Sequence, residues 1–95
     1  MSYTISSVHK ANIQLDKAII WCSEQSKGLE IKFIKNLDSA MKYIKKNPMK
    51  CQVQYGDDVR VKFLKSPKFG IHYIIRNKHI YVVGIFHTNQ DSDNW

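Results

Sequence analysis

Phe69-Gly70-Ile71-His72-Tyr73-Ile74-Ile75-Arg76, Asn77-Lys78-His79, Ile80-Tyr81-Val82-Val83-Gly84-Ile85-Phe86-His87 carries a strong local signal: two apolar runs divided by a short polar break. Isoleucine, valine, tyrosine and phenylalanine dominate it, and such branched and aromatic side chains fit the pleated surface of a strand. Phe69 to Arg76 and Ile80 to His87 therefore read as two strands. Asn77-Lys78 is a short break with turn chemistry, and a short turn joins antiparallel neighbours. Upstream, Val59 to Leu64 reads as another strand, with Cys51 to Tyr55 as an extended lead-in, and Lys65 to Lys68, which holds Ser66-Pro67, as the next turn. The expectation is an antiparallel, three-stranded C-terminal sheet.

Alternation of side chains along a strand assigns each residue a face. Val59, Val61 and Phe63 oppose Arg60, Lys62 and Leu64; Ile71, Tyr73 and Ile75 oppose His72, Ile74 and Arg76; Ile80, Val82, Gly84 and Phe86 oppose Tyr81, Val83, Ile85 and His87. With the first set of each strand turned to the core, the second sets would gather Arg60, Lys62, His72, Arg76, Tyr81 and His87 on one open surface.

Before Pro48 the hydrophobic period is helical. Leu15, Ala18, Ile19 and Cys22 recur at helical spacing between about Ala11 and Gln25, with Trp21 at the margin. Ser26-Lys27-Gly28 ends that helix, since glycine accepts the left-handed conformation of a helix stop. A second helix carries the stripe Leu29, Phe33, Leu37, Ala40, Met41 and Ile44, with Tyr43 at its margin and Lys32, Lys35, Lys42, Lys45 and Lys46 mostly off it. Asn47-Pro48 stops it. The short connection predicts an antiparallel helix hairpin. Tyr3 to Val8 alternates weakly and reads as a first strand. The predicted class is α+β: an N-terminal strand, a two-helix hairpin, then the antiparallel sheet.

The chain has 95 residues, room for one domain over 1–95 with one modest core. Fifteen Lys and Arg against eight Asp and Glu give a net charge of +7, which attracts polyanions or acidic protein segments. A lysine-rich surface that only solubilises the protein is the bland alternative. No secretion signal and no apolar run near the ~18 residues of a membrane span occur, so a cytoplasmic protein without membrane contact is expected. Cys22 and Cys51 lie in apolar contexts without CxxC or matching histidine spacing; reduced core residues are expected, with neither disulfide, metal nor cofactor. His9 and His79 read as solvated polar residues at a junction and a turn.

The order of elements, together with several local phrases, resembles the RelE/ParE toxin superfamily over almost the whole chain. Ala18-Ile19-Ile20-Trp21 followed by Ser26-Lys27-Gly28-Leu29 is similar to the family's entry into the helix hairpin, and Ile44-Lys45-Lys46-Asn47-Pro48 to its exit from the second helix. Val59-Arg60, Phe69-Gly70-Ile71-His72-Tyr73, Ile80 to Phe86, and His87-Thr88 with Gln90-Asp91 before Trp95 resemble its strand phrases. The resemblance implies a growth-arresting toxin held by a cognate antitoxin, whose disordered acidic segment folds as it wraps the toxin. It leaves two targets. RelE-like members are small ribonucleases that cut mRNA on the ribosome, whereas ParE-like members inhibit DNA gyrase by binding it.

Metal-free RNA cleavage requires a proton acceptor, cations beside the phosphorane and an acid for the leaving oxygen. If the chain is a nuclease, Arg60, Lys62 and Arg76 would supply charge and His87 the proton; otherwise no catalytic residue is assigned. Nuclease members with such a histidine follow it with an aromatic residue and place an arginine early in the preceding strand, where this chain has Thr88 and Ile71-His72. His87-Thr88-Asn89-Gln90-Asp91 is closer to the ParE-like ending. Gyrase inhibition is therefore the first expectation and ribosome-dependent mRNA cleavage the alternative. Trp21 and Tyr43 at the stripe margins, with Gln90, Asp91 and Trp95 in the tail, are the expected partner contacts.

Overall fold

A computed structural model describes residues 3–88. In chain order the elements are β1 (Thr4–Ser7), α1 (His9–Gln25), α2 (Leu29–Lys46), β2 (Val53–Tyr55), β3 (Val59–Phe63), β4 (Phe69–Arg76) and β5 (His79–His87). The expected turn at Asn77-Lys78 joins β4 to β5, with Asn77 in the left-handed region at φ 58°. Gly28, at φ 84°, makes the break between the helices, where a side chain would be strained. Asn47, the residue before Pro48, leaves the helical region as the sequence requires.

The sheet is larger than expected and mixed. Its order is β1-β5-β4-β3-β2. The three C-terminal strands are antiparallel as predicted, but β1 pairs with β5 in parallel, from Thr4 opposite His79 to Ser7 opposite Val82. The helix hairpin is the crossover that lets β1 and β5 run in the same direction. The lead-in is itself a strand: β2 pairs with β3 across the turn at Gly56, whose φ of 61° is left-handed. An antiparallel three-stranded sheet is thus corrected to a five-stranded mixed one.

One face of the sheet receives the helices. Phe33 and Ile44 of α2, Cys22 of α1, Ile71 and Tyr73 of β4, and Ile80 and Val82 of β5 are fully buried together. Each such large apolar side chain contributes roughly 1.5–3 kcal/mol through its removal from water. Cys51 packs at the margin of this core. Tyr73 reaches across it to donate its hydroxyl proton to the Pro48 carbonyl at 2.7 Å, and burial raises its pKa. Asn36 of α2 donates to the Ser66 carbonyl at 2.6 Å, which ties the β3–β4 turn to the helix layer.

Strand register corrects the predicted faces. Directly opposed residues of neighbouring strands share a face. Arg60 lies opposite Tyr73 and Lys62 opposite Ile71, so these cations point to the helix side, and Val61, opposite His72, points away. The helix layer only partly covers β3, and both long side chains bury their stems while their charged ends find polar or aromatic partners. On β5, His72 lies opposite Gly84 but Tyr73 lies opposite Val82, which leaves Val83 as an extra residue. This bulge reverses alternation beyond it. Ile85 and His87 consequently face the helices, and Gly84 and Phe86 face away. The single mixed surface predicted from the sequence is divided: Arg60, Lys62 and His87 lie on the helix side, and His72, Arg76 and Tyr81 on the other.

Candidate functional site

Where β1 ends, α1 begins and β5 runs on beside β4 without β1 on its other edge. The last paired residue of β1 is Ser7, opposite Val82, so the edge of β5 from Val83 to His87 has no β1 neighbour. Gln14 of α1 partly satisfies this edge, its side-chain oxygen accepting from the Ile85 backbone N–H at 3.0 Å. Between α1 and this edge opens a groove of about 420 Å³, lined mainly by Lys17, Ala18, Trp21, Phe69, Ile85 and His87.

Its end wall is aromatic. The Trp21 ring lies 4.9 Å from the His87 ring at an interplanar angle of 61°, and Phe69 meets His87 edge to face at 5.1 Å and 88°. Trp21 and Phe69 complete the triangle at 5.9 Å, and Phe33 backs Phe69 at 4.8 Å. Such edge-to-face contacts add about 0.5–1.5 kcal/mol each to simple burial. Trp21 keeps 37% of its surface exposed, so the wall combines a rigid interior with an accessible indole. The outer surface of the hairpin adds exposed apolar area at Ile13, Ile20, Ile31 and Ile34. A concave aromatic surface beside a strand edge that β1 does not cover suits a partner's extended or helical segment.

The proposed nuclease set is dispersed. His87 sits at one end of the hairpin opposite Phe69, and Arg76 at the other end opposite His79. Phe69 and Arg76 are seven residue steps apart along the strand, roughly 23 Å at 3.3 Å per step, and the side chains of His87 and Arg76 lie on different faces. Arg76 is paired with Asp58. Arg60 is engaged in holding the chain after α2, donating to the carbonyls of Met49 at 3.2 Å and Cys51 at 2.5 Å. Lys62 places its ammonium 4.5 Å over the Tyr43 ring. Buried Phe69 and Ile71 lie between these two cations and His87. Gln90, Asp91 and Trp95 lie outside the described residues.

Behind the sheet, the sequence reading missed a second aromatic cluster. His72 was expected on an open surface, yet it is fully buried. Its Nδ1 shares a 2.8 Å hydrogen bond with the Tyr55 hydroxyl, and the Phe86 ring stands against it at 4.8 Å. Desolvation lowers its pKa to about 4, so at neutral pH the imidazole is uncharged, and burial raises that of Tyr55. Gly84 makes room for this arrangement: a Cβ there would stand 2.4 Å from the Phe86 ring. A glycine inside a strand is the one sequence signal that points to both the bulge and the close approach.

Among the described residues no group of three or more His, Cys, Asp or Glu is placed to hold a metal ion, and no helix is long and apolar enough to cross a membrane.

No family model matches the sequence, and no curated protein matches it. Among solved structures, one described as "Chromosomal ParDE TA system from P. aeruginosa" contains a chain similar to this one, with a TM-score of 0.74 and 16% identity, over 90% of this chain and 95% of that one. The two chains share a fold: the β1–helix hairpin–sheet arrangement is common to them although few residues are.

Proposed function

We propose that this chain is the toxin of a type II toxin–antitoxin pair, a single domain that acts in the cytoplasm by binding DNA gyrase, and that a cognate antitoxin neutralises it. The fold shared with a chain of a ParDE toxin–antitoxin system supports the first part. The observation that carries binding over RNA cleavage is the dispersal of the candidate catalytic groups. A phosphoryl-transfer site needs its acid and its cations around one phosphate, whereas Arg60, Arg76 and His87 occupy three separate environments with Arg60 and Arg76 engaged in structural contacts. The antitoxin's place is the aromatic groove and the adjoining hairpin surface. Exposed isoleucines and Trp21 offer apolar burial there, and the net positive charge favours an acidic segment.

The test pairs a gyrase supercoiling assay with an in vitro translation assay on the purified chain. Inhibited supercoiling with intact messenger is expected, and relieved by the product of the neighbouring small gene. Cleaved messenger beside untouched gyrase activity would overturn the target. Growth unaffected by expression without the antitoxin would overturn the toxin reading itself.

A further inference from the structure

We infer that Ser6 is a nucleophile activated by His79, at a site that takes an acyl group from esters and thioesters with good leaving groups. β1 and β5 run side by side with Thr4 opposite His79 and Ser6 opposite Tyr81. Ile80 and Val82 are buried against the helices, so alternation turns His79, Tyr81, Thr4 and Ser6 to the other face. There the Ser6 hydroxyl lies 2.7 Å from Nε2 of His79, and the Thr4 hydroxyl is hydrogen-bonded to Nδ1 of the same ring. The Tyr81 ring stands 4.4 Å from the imidazole at an interplanar angle of 52°. Two hydroxyls and an aromatic neighbour thus fix the imidazole in place.

Holding β1 in the sheet does not require these contacts. The backbone ladder from Thr4 to Ser7 already does so, extended by the Thr4 N–H on the Lys78 carbonyl and the Val8 N–H on the Val82 carbonyl, each at 3.0 Å. An exposed hydroxyl that exchanges water for an imidazole adds little to stability. The geometry supplies instead a nucleophile, a base within hydrogen-bond reach and a third group that orients the base, the combination by which proteins activate serine. A neutral imidazole carries one N–H. When Nδ1 donates it to the Thr4 oxygen, Nε2 is left to accept from the Ser6 O–H. The primary hydroxyl of Ser6 is also less hindered than the secondary hydroxyl of Thr4. β1 is an edge of the sheet, and Thr4 and Ser6 are exposed, so an acyl donor can reach them.

In the reaction the Ser6 Oγ bonds to the carbonyl carbon as its proton passes to Nε2 of His79. The bond from that carbon to the leaving oxygen or sulfur then breaks, the leaving group takes the proton from Nε2, and Ser6 keeps the acyl group as an ester. Arg76, which register places beside His79, is paired with Asp58, and the oxyanion forms on the exposed side of Ser6 with water around it. Water stabilises that charge less than preorganised donors do, which limits the substrates to activated esters and thioesters and leaves amides uncut. His79 and His87 stand at opposite ends of β5, so the inference does not depend on the toxin reading.

Treatment of the full chain with p-nitrophenyl acetate tests it, with acetyl esters mapped by tandem mass spectrometry and folding of each variant checked by circular dichroism. Hydroxylamine removes serine esters and leaves lysine amides. Ser6 should be acetylated about tenfold faster than Ser23, an exposed serine whose hydroxyl donates to the Ile20 carbonyl at 2.7 Å. His79→Gln should slow acetylation of Ser6 about tenfold or more. Thr4 is a positioning residue: Thr4→Val should slow it about threefold, and Thr4→Ser should restore it. Equal acetylation of Ser6 and Ser23 would overturn the proposal, as would a rate at Ser6 unchanged in His79→Gln. An acetyl group on Thr4 in place of Ser6 would overturn the choice of nucleophile.

Discussion

His87 and His72 lie on the same pair of strands, each among aromatic rings, and on opposite faces of the sheet. His87 borders a groove with Trp21 and Phe69, beside a strand edge that β1 leaves unpaired. His72 is sealed between Tyr55 and Phe86, with the Tyr55 hydroxyl on its Nδ1. Similar composition therefore serves two ends. Around His87 the rings build a surface that can meet a partner; around His72 they close the face of the sheet opposite the helices. A histidine in a strand says nothing of which end it serves until its face and its neighbours are known.

Breaking the sealed cluster should have the largest effect. His72→Ala leaves a cavity between two rings and removes the partner of the Tyr55 hydroxyl, and we expect a loss of about 2–4 kcal/mol in urea unfolding. A wild-type stability within 0.5 kcal/mol of this variant's would show that the cluster is not a packing centre.

Acid should reach the same cluster without mutation. The unfolded chain's imidazole takes up its proton near pH 6.5, the folded one only near 4. Between these values the unfolded state binds more protons, so stability should fall as pH drops from about 6.5 to 4, by on the order of 3 kcal/mol, and then level off. His72→Phe should flatten this decline, and an unchanged pH profile in that variant would place the acid sensitivity elsewhere.

At the groove the effects should separate. Trp21→Ala, with the indole partly exposed, should lower stability by only about 1 kcal/mol and antitoxin affinity by about 2 kcal/mol, near thirtyfold by calorimetry. Equal affinities for the two proteins would move the partner surface off this wall.

The smallest effects belong to the cations once expected to act together. Arg60→Ala removes two bonds to carbonyls after α2 and should lower stability by about 1–2 kcal/mol. Arg76→Ala breaks an exposed pair and should change it by less than about 0.5 kcal/mol. On the binding reading neither variant should lose toxicity beyond its loss of fold; abolished toxicity in a fully folded Arg76→Ala would restore a catalytic role for that residue.

Legibility in the sequence followed locality. The helix stops at Gly28 and before Pro48, the stripe through Phe33, Leu37, Ala40 and Ile44, and the turn at Asn77-Lys78 depend on backbone preferences and periodicities within a few residues, and all are present as read. Tyr3 to Val8 and Cys51 to Tyr55 were read as a strand and an extended lead-in, and β1 and β2 lie there, but their places in the sheet were not readable, because pairing with β5 and β3 is a relation between distant segments. Face assignments failed at β3, where both faces carry apolar residues and alternation alone cannot say which one meets the helices. They failed again beyond Val83, where one inserted residue reverses every side chain that follows.

What the residues determined unaided is the class of the protein: one helical hairpin over a β-rich C-terminal half, basic, with aromatic positions at the edges of its core. Tertiary structure decided what those residues do to one another. It turned His87 toward Trp21, buried His72, separated Arg60 from Arg76 and brought Lys62 to α2, because side-chain direction depends on register across strands, and register is fixed only when the whole sheet closes on its core.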